Sequence, residues 1–342
     1  MELHWCAIPG GNFGDDLNPQ LWPRLFPDLG SHRHDAKLYG IGTLLGGRHD
    51  GGGAKLVLGS GGGDTRPRRL QGQWDFRWVR GPLTARTMQL DSRHVLGDSA
   101  WLWDGLQVPL QPDGTIGLVP HCATWSGYDW PRVAALAGMR AINPQRAPDA
   151  VVDDMRRCSM ILTESLHGAV FADAMGIPWA VCRLSYRFNE FKWRDWTQFI
   201  RRCFEPHDVS VALASQLRWR KALTNRLARW ADFRGQSRYN PLRPVANATA
   251  AEAAKVADEL RRFGADTSRF ACSPPGFVAR QRERMVDACA AFAKDYGLTF
   301  RPPAHGPQFT AQRAWPQPLQ TVAPAPAAAC APARSAPVRR HA

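Results

Sequence analysis

The chain has 342 residues, of which 44% are hydrophobic, and a formal net charge of +14 at pH 7. Its length predicts roughly two domains with a sizeable buried core, and the absence of any apolar run approaching about 18 residues argues against a transmembrane helix. The positive charge favours anionic partners, such as phosphorylated small molecules, acidic glycans, anionic membrane surfaces or nucleic acid, and does not choose among them.

The first predicted elements, over residues 2–105, alternate between short strands, glycine-rich turns and helices. Strands are predicted over 3–8, 55–58, 74–79 and 94–96, and helices over 17–26 and from residue 82. Asp15 or Asp16 is expected to cap the first helix. Such alternation is typical of a doubly wound parallel sheet, so we predict an N-terminal domain over 1–105, followed by a linker rich in proline.

A second succession of strands and helices predicts a second α/β domain over 115–205. Its strands are predicted over 115–119, 141–142, 160–163 and 179–182, and its helices over 130–137, 148–157 and 166–175. A helical extension is predicted over 206–300, with helices at 207–233, 247–263 and 275–295. The Pro/Ala-rich tail, 301–342, has few large apolar residues and is predicted to be disordered.

The segment 160–182 places a titratable residue where a predicted strand ends and a predicted helix begins. In open α/β sheets ligands bind outside the carboxyl ends of the strands, and the N–H groups at a helix start attract anions. His167 lies at this junction and can exchange protons near neutral pH. Gly168 follows it and permits close approach of the backbone. We therefore interpret His167 as a functional residue.

Polar side chains and glycines also follow the other predicted strands. They are Asn12, Asp15, Asp16, the run Gly59-Ser60-Gly61-Gly62-Gly63, Arg80, Asp98, His121 and Glu164. Two parallel sheets joined by a short linker would bring these strand exits to face one another across a cleft between domains. The sequence therefore predicts one composite site there.

Each of these positions also has a structural interpretation. The glycine run is either a tight turn or an anion nest, and the turn at 10–16 is by default a turn with a helix cap. Arg80 is either a salt-bridge residue or a clamp for phosphate or carboxylate. Asp98 is a helix cap or a site residue, and His121 is a loop histidine or a site residue.

A set of short motifs occurs in a characteristic order over residues 3–200. They are GNFGDDL (11–17), GIGT (40–43), GSG (59–61), RGPLT (80–84), LGDSA (96–100), VPH (119–121), SLHG (165–168) and GIP (176–178). Together they resemble the polysaccharide pyruvyltransferase family. The opening NFGDDLNPQLWP is most similar to ketal pyruvyltransferases of the succinoglycan and xanthan type.

The resemblance implies two Rossmann-like domains in a GT-B-like arrangement. It implies transfer of a pyruvyl group from phosphoenolpyruvate to two hydroxyls of a sugar in an exopolysaccharide repeat unit, giving a cyclic ketal and phosphate. The acceptor is expected to be a lipid-linked oligosaccharide, with no cofactor, no metal and no nucleic acid partner. The eight cysteines are scattered, and Cys6, Cys182 and Cys289 lie in apolar runs, which is typical of reduced, buried thiols in a cytoplasmic protein. The basic segment 207–233 either contacts an anionic membrane or is a solvated helix face.

The implied chemistry assigns roles to the residues at the strand exits. Phosphoenolpyruvate carries a phosphate and a carboxylate, for which Arg80 and the Gly59–Gly61 turn are candidate ligands. A general acid must protonate the methylene carbon and a base must take the hydroxyl proton. His167 is the candidate for acid or base, and His121 assists it or binds phosphate. Glu164 stabilises cationic character, orients His167, or is a solvent-facing helix cap. The predicted substrate-binding set is completed by Asn12, Asp15, Asp98, Ser165 and Gly168.

One position departs from the family pattern. Many members carry Arg two residues before the histidine of the SLHG motif, where it would bind the acidic groups of the substrate, and this chain has Ser165. The anion clamp is then expected to depend on Arg80, on His121, or on an arginine elsewhere such as Arg183 or Arg187.

Two functions from other classes compete with this hypothesis. A GT-B glycosyltransferase using a nucleotide sugar would share the fold and cleft, although the second domain shows no clear paired-Glu signature of such enzymes. A non-enzymatic basic protein could bind nucleic acid or acidic glycan, with affinity that falls steeply with salt. That interpretation leaves the clustering of polar residues at the strand exits unexplained.

Overall fold

Two parallel β-sheets frame the fold in the computed structural model, which describes residues 1–32, 35–45, 53–66, 70, 72–185, 188–209 and 249–304. The first sheet contains β1 (Glu2–His4), β2 (Ala36–Tyr39), β3 (Ala54–Leu58) and β4 (Trp74–Trp78), in that order. The second contains β5 (Ile116–Val119), β6 (Arg140–Ala141), β7 (Met160–Thr163), β8 (Trp179–Arg183) and β9 (His207–Asp208), in the order β6-β5-β7-β8-β9. All neighbouring strands run parallel. The predicted α/β class is confirmed.

Helices connect and cover these strands. They are α1 (Asn18–Leu25), α2 (Pro82–Thr87), α3 (Cys122–Trp125), α4 (Trp130–Ala137), α5 (Pro148–Met155), α6 (Leu166–Met175), α7 (Glu190–Phe199), α8 (Ala250–Ala265) and α9 (Pro275–Tyr296). Short 3-10 turns lie at Asp15–Leu17, Ser92–His94, Ser99–Leu102, Asp104–Leu106 and Thr267–Arg269. The bounds of α4 and α6 agree with the prediction.

Helix α6 is buried on every side because its sequence is apolar throughout. All ten of its residues are buried, and it packs against β7, β8 and the 3-10 turn at Ser99–Leu102. Its C-terminus is set by Gly176, which takes φ +71°, a left-handed conformation that favours glycine. The helix that carries His167 is therefore held rigidly within the core.

The tryptophans serve mainly as packing groups. Among the described residues, seven are fully buried: Trp22, Trp78, Trp101, Trp130, Trp179, Trp193 and Trp196. Trp101 makes an edge contact with Trp196, with ring centroids 5.2 Å apart, and thereby joins the 3-10 turn after Asp98 to α7. This packing joins a turn that precedes the second sheet in the chain to a helix that follows β8.

Several predicted elements differ from the structure. The first strand ends at His4 instead of Ile8, because β1 is an edge strand whose neighbour β2 ends opposite it at Tyr39. The strand predicted over 94–96 is a single bridge from Val95 to Val79. Strand β2 and helix α7 were not predicted. Neither Asp15 nor Asp16 caps α1, which follows Leu17 without a side-chain cap.

The C-terminal helices return to the sheets and do not form a separate extension. Helix α8 packs on α4, whereas α9 contacts β4 of the first sheet. Phe292 of α9 also packs against Phe26, with ring centroids 5.4 Å apart. Residues 1–306 thus form one compact unit. The predicted helix 207–233 begins instead as strand β9, which extends the second sheet beyond 205, and the rest of that segment and the tail from 305 lie outside the described residues.

In the part of the chain that the structure describes, no helix combines the length and apolarity needed to span a bilayer. The described cysteines are all free thiols, and Cys6, which lies in an apolar run of the sequence, is exposed, not buried.

Candidate active site where the two sheets meet

The carboxyl ends of strands from both sheets come together in the structure. His167, which follows β7, lies against Gly14, which follows β1: a Cβ added at Gly14 would overlap the imidazole. Gly81, which follows β4, lies against Asp195 of α7 in the same way. The strand exits that the sequence predicted to face one another are therefore in direct contact.

His167 and Asp98 form the central pair of this region. His167 Nε2 lies 3.7 Å from Asp98 Oδ2, and the side chains are 9% and 0% exposed. Asp98 also caps the 3-10 turn that follows it, since its Oδ1 accepts a hydrogen bond from Ala100 N at 3.0 Å. The cap interpretation of Asp98 is confirmed, and the same side chain lies beside His167.

The charge state of Asp98 suits this pairing. Burial alone would raise its pKa, but His167, Arg80 and the Ala100 N–H hold the pKa of this carboxyl below its ordinary value. The carboxylate is therefore ionised at neutral pH. It lies close enough to orient the imidazole of His167.

The turn after β1 places a second carboxylic acid, Asp15, near His167. Asp15 Oδ2 accepts a hydrogen bond from Asn12 Nδ2 at 2.5 Å, and the backbone N–H of Asn12 donates to Asp16 Oδ2 at 2.7 Å. Burial raises the pKa of Asp15, while the charges of His167 and Lys192 oppose that rise. Asn12 and Asp15 thus lie at the predicted site, with Asp15 between two cationic or titratable neighbours.

Glu164 lies inside the protein and is not a solvent-facing cap. Its Oε2 accepts from the backbone N–H of His121 at 3.0 Å and its Oε1 from that of Leu184 at 3.2 Å. Burial raises the pKa of Glu164, and the bond from His121 is the largest opposing influence. Glu164 therefore ties together the exits of β5, β7 and β8, and its hydrogen bonds position the His121 loop.

His121 caps the short helix α3. Its Nδ1 accepts a hydrogen bond from Ala123 N at 3.2 Å. An accepting Nδ1 places the proton of the neutral ring on Nε2. The side chain is half-buried, so His121 is at the site that was predicted and has a structural role there as well.

Arg80 is fully buried and paired with Asp195. The distance between Arg80 Nε and Asp195 Oδ2 is 3.4 Å, and both side chains are 0% exposed. The guanidinium also donates to Thr43 Oγ1 and to the Gly62 carbonyl, each at 3.3 Å. The salt-bridge interpretation of Arg80 is therefore confirmed, and any role in binding an anion is additional to it.

The glycine run after β3 donates most of its described N–H groups within the protein. Gly59 N, Gly61 N and Gly62 N donate to Trp78 O, Gly42 O and Thr84 Oγ1, each at 2.9 Å. Ser60 Oγ donates to Gly42 O at 3.2 Å. These bonds are typical of a tight turn that packs the guanidinium of Arg80 against Gly61, and they leave those three N–H groups unavailable to a ligand.

Ser165 and Gly168 shape the start of α6. Ser165 takes the N-cap position but its side chain makes no cap hydrogen bond, while its backbone N–H donates to Thr163 Oγ1 at 3.0 Å. A Cβ at Gly168 would overlap Thr163. The close approach that Gly168 permits is thus to the preceding strand.

Helix α7 brings two further charged groups to the site that sequence reasoning missed. Asp195 accepts from Thr84 N at 2.9 Å and from Thr84 Oγ1 at 2.7 Å, in addition to pairing with Arg80. Lys192 lies three residues earlier, on the same helix face. The spacing of the buried Trp193, Trp196 and Ile200 was the available helix signal, with Asn189 as the cap.

The described residues offer no arrangement of three or more His, Cys, Asp or Glu side chains that could hold a metal ion. The polar groups gathered at the site are carboxylates, imidazoles, one guanidinium and one ammonium. They are suited to proton transfer and to binding anions.

Replacing Gly14 by alanine tests the contact between the two sheets. Gly14 has φ −69°, which alanine adopts without strain, so the effect is steric and confined to the overlap with His167. Under the function proposed below, we expect kcat to fall by about tenfold or more, because even a displacement of ~1 Å at an active site is costly, with far-ultraviolet circular dichroism unchanged. Gly30→Ala, at a site with open space around it, is the control. Full activity in Gly14→Ala would contradict the assigned position of His167.

Comparison with known proteins agrees with the motifs. The model of the family "Polysaccharide pyruvyl transferase" matches residues 3–186. The succinoglycan biosynthesis protein ExoV of Rhizobium meliloti (strain 1021) is 34% identical over 226 residues, which cover 63% of this chain and 70% of ExoV. No solved structure matches the chain. The matched range contains both sheets up to β8 and the site residues from Asn12 to Gly168, and the chain therefore belongs to the polysaccharide pyruvyl transferase family of enzymes.

Proposed function

We propose that the protein transfers a pyruvyl group from phosphoenolpyruvate to two hydroxyls of one sugar in an exopolysaccharide repeat unit. The products are a cyclic pyruvate ketal and inorganic phosphate. The observation that carries this proposal is the pairing of His167 with the ionised Asp98 at the meeting point of the two sheets. Family membership and the similarity to a succinoglycan biosynthesis protein support it.

In the first step, protonated His167 delivers a proton to the methylene carbon of phosphoenolpyruvate. The C=C double bond becomes a C–CH₃ single bond, and positive charge develops at the central carbon. Asp98 lies beside the imidazole and orients it for this transfer. A hydroxyl of the sugar attacks the central carbon and gives its proton to the neutral imidazole, which regenerates the acid.

In the second step, the bond between the central carbon and the phosphate oxygen breaks, and the phosphate leaves with the electron pair. The second hydroxyl attacks the resulting cation, and its proton leaves with the phosphate. Hydrogen and charge balance over the two steps, because one proton enters the methyl group and two leave the hydroxyls. Cationic groups beside the donor stabilise the departing phosphate.

Two parallel sheets whose carboxyl ends meet support a GT-B-like arrangement of Rossmann-like domains, with the acceptor entering between them. The proposal includes a lipid-linked oligosaccharide as the acceptor, on the cytoplasmic side of the membrane. It also includes peripheral contact with anionic lipid through the basic segment 207–233.

Phosphate release tests the proposed function. Purified protein should release phosphate from phosphoenolpyruvate only when a suitable acceptor is present, and a panel of galactose-, glucose- and mannose-terminated acceptors would identify it. The product should gain the mass of a pyruvate ketal. Absence of both phosphate release and phosphoenolpyruvate binding would contradict the proposal. Thermal stabilisation by a nucleotide diphosphate, without stabilisation by phosphoenolpyruvate, would favour nucleotide-sugar chemistry instead.

A further inference from the structure

Two of the arginines expected to bind the donor already have acidic partners. Arg80 is paired with Asp195 in a fully buried ion pair. Arg183 lies 2.7 Å from Glu190 and 3.3 Å from Asp208. An arginine whose charge is balanced within the protein gains less from an added anion than an unbalanced cation does. The third candidate arginine, Arg187, lies outside the described residues.

Lys192 is different, because its ammonium has no such partner. Among the residues that the structure describes, no hydrogen bond or ion pair involves the Lys192 side chain, although the residue is half-buried on α7. A partly desolvated charge without a partner is unfavourable unless a ligand supplies the opposite charge. This uncompensated cation therefore marks a place where an anion would bind.

The surroundings of Lys192 place it between the two sheets. Its ammonium acts electrostatically on charged or titratable groups from four separate elements: Asp15, Arg80, Cys122 and Glu164. The charges of His167 and Lys192 both act on the Asp15 carboxyl group. Lys192 and the proposed proton-transfer group therefore both lie near Asp15. A donor molecule protonated by His167 could extend its phosphate towards this ammonium.

The electrostatic surroundings of Lys192 support the same conclusion. Burial lowers the pKa of Lys192, and the nearby positive charge of Arg80 lowers it further, while Cys122, Asp15 and Glu164 act in the opposite direction. Asp15 and Glu164 act on the ammonium from a distance, and among the described residues neither forms a hydrogen bond or an ion pair with it. A bound dianion would give the ammonium a direct partner.

We propose that Lys192 binds the phosphate group of phosphoenolpyruvate and thereby supplies the cation missing at Ser165. This inference rests on the proposed function and names a substrate-binding residue for it. Lysine is well suited to phosphate, since its ammonium acts as a compact point charge with three donors. In the second step it would stabilise the departing phosphate.

The test compares Lys192→Met with Lys192→Arg in steady-state kinetics and in calorimetric titration with inorganic phosphate. Loss of one charge-assisted bond predicts an increase of about 10- to 100-fold in KM for phosphoenolpyruvate. The Kd for inorganic phosphate should weaken by a similar factor, and Lys192→Arg should retain most of the affinity. Lys255→Met, which removes an exposed lysine of α8, is the matched control and should change neither value.

The pH dependence adds a readout that a structural role would not change. Phosphate affinity of the unaltered protein should decline as pH rises through the lowered pKa of Lys192, because the ammonium loses its charge. Lys192→Arg stays charged and should keep its affinity over the same range. Circular dichroism and thermal unfolding of each variant establish that it is folded.

The outcomes separate this inference from the proposed function. Unchanged phosphate affinity in folded Lys192→Met would overturn the inference, as would a loss of phosphoenolpyruvate affinity without a loss of phosphate affinity. Failure of the unaltered protein to bind either molecule would overturn it too. If phosphate binds through Lys192 but no acceptor supports release of phosphate from phosphoenolpyruvate, the site assignment holds and the proposed reaction fails.

Discussion

Replacement of His167 by glutamine should lower kcat for phosphate release by about 10²- to 10⁴-fold, the usual contribution of a general acid or base. Glutamine retains hydrogen-bonding capacity but cannot carry a proton to the methylene carbon. The effect should be in kcat more than in KM, because the imidazole acts in the chemical step. Phosphate release under saturating phosphoenolpyruvate and acceptor measures it.

Two further variants define the role of the imidazole. Asp98→Asn removes the carboxylate that lies 3.7 Å from Nε2, and it should lower kcat by a smaller factor than His167→Gln does. His94→Gln is the matched control, since His94 lies on a 3-10 turn where it bonds to Asp91, and it should retain activity. A His167→Gln protein with undiminished kcat would remove His167 from the mechanism.

Breaking the buried pair of Arg80 and Asp195 should destabilise the fold by about 3–5 kcal/mol, the usual cost of leaving one buried charge unpaired. Asp195→Ala leaves the Arg80 guanidinium without its carboxylate and also removes two hydrogen bonds to Thr84. Arg80→Met leaves the Asp195 carboxylate without its counter-charge. Denaturant titration of each variant measures the change in the free energy of unfolding.

A double variant distinguishes pairing from other causes. Arg80→Met combined with Asp195→Leu should lose less stability than the sum of the single variants, because no uncompensated charge remains. Arg262→Met, which breaks an exposed ion pair with Asp258 on α8, should leave the free energy of unfolding nearly unchanged. Single variants as stable as the unaltered protein would show that the pair contributes little.

The pair also explains why Arg80 was difficult to interpret from its sequence position. An arginine after an apolar strand is consistent with an anion clamp or with a salt bridge, and the decision depends on a partner 115 residues later, in a helix that was not predicted. The same holds for Glu164. Its place between β7 and α6 was consistent with a site residue or with a solvent-facing helix cap. The structure shows that its carboxylate accepts hydrogen bonds from backbone N–H groups at two other strand exits.

Elements with a strong local pattern were predicted well. Helix α4 has the apolar spacing and a following glycine, and α6 lies between a polar turn and Gly176. Strand β2 and helix α7 were missed because their local patterns are weak: β2 is four residues long, and α7 mixes charged residues with tryptophans. Their identity depends on the burial that the rest of the fold provides.

The sequence by itself determined the α/β class and the position of His167 at a strand exit, because these follow from short-range periodicity and turn chemistry. It also contains the ordered motifs that carry the resemblance to the family. Only the tertiary structure decided which charges are balanced. It paired Arg80 with Asp195 and set Asp98 beside His167. Among the described residues, it left the Lys192 ammonium without a hydrogen bond or ion pair. Charge compensation depends on distances between residues that are far apart in the chain. Those residues come close together only when the two sheets pack in the folded protein.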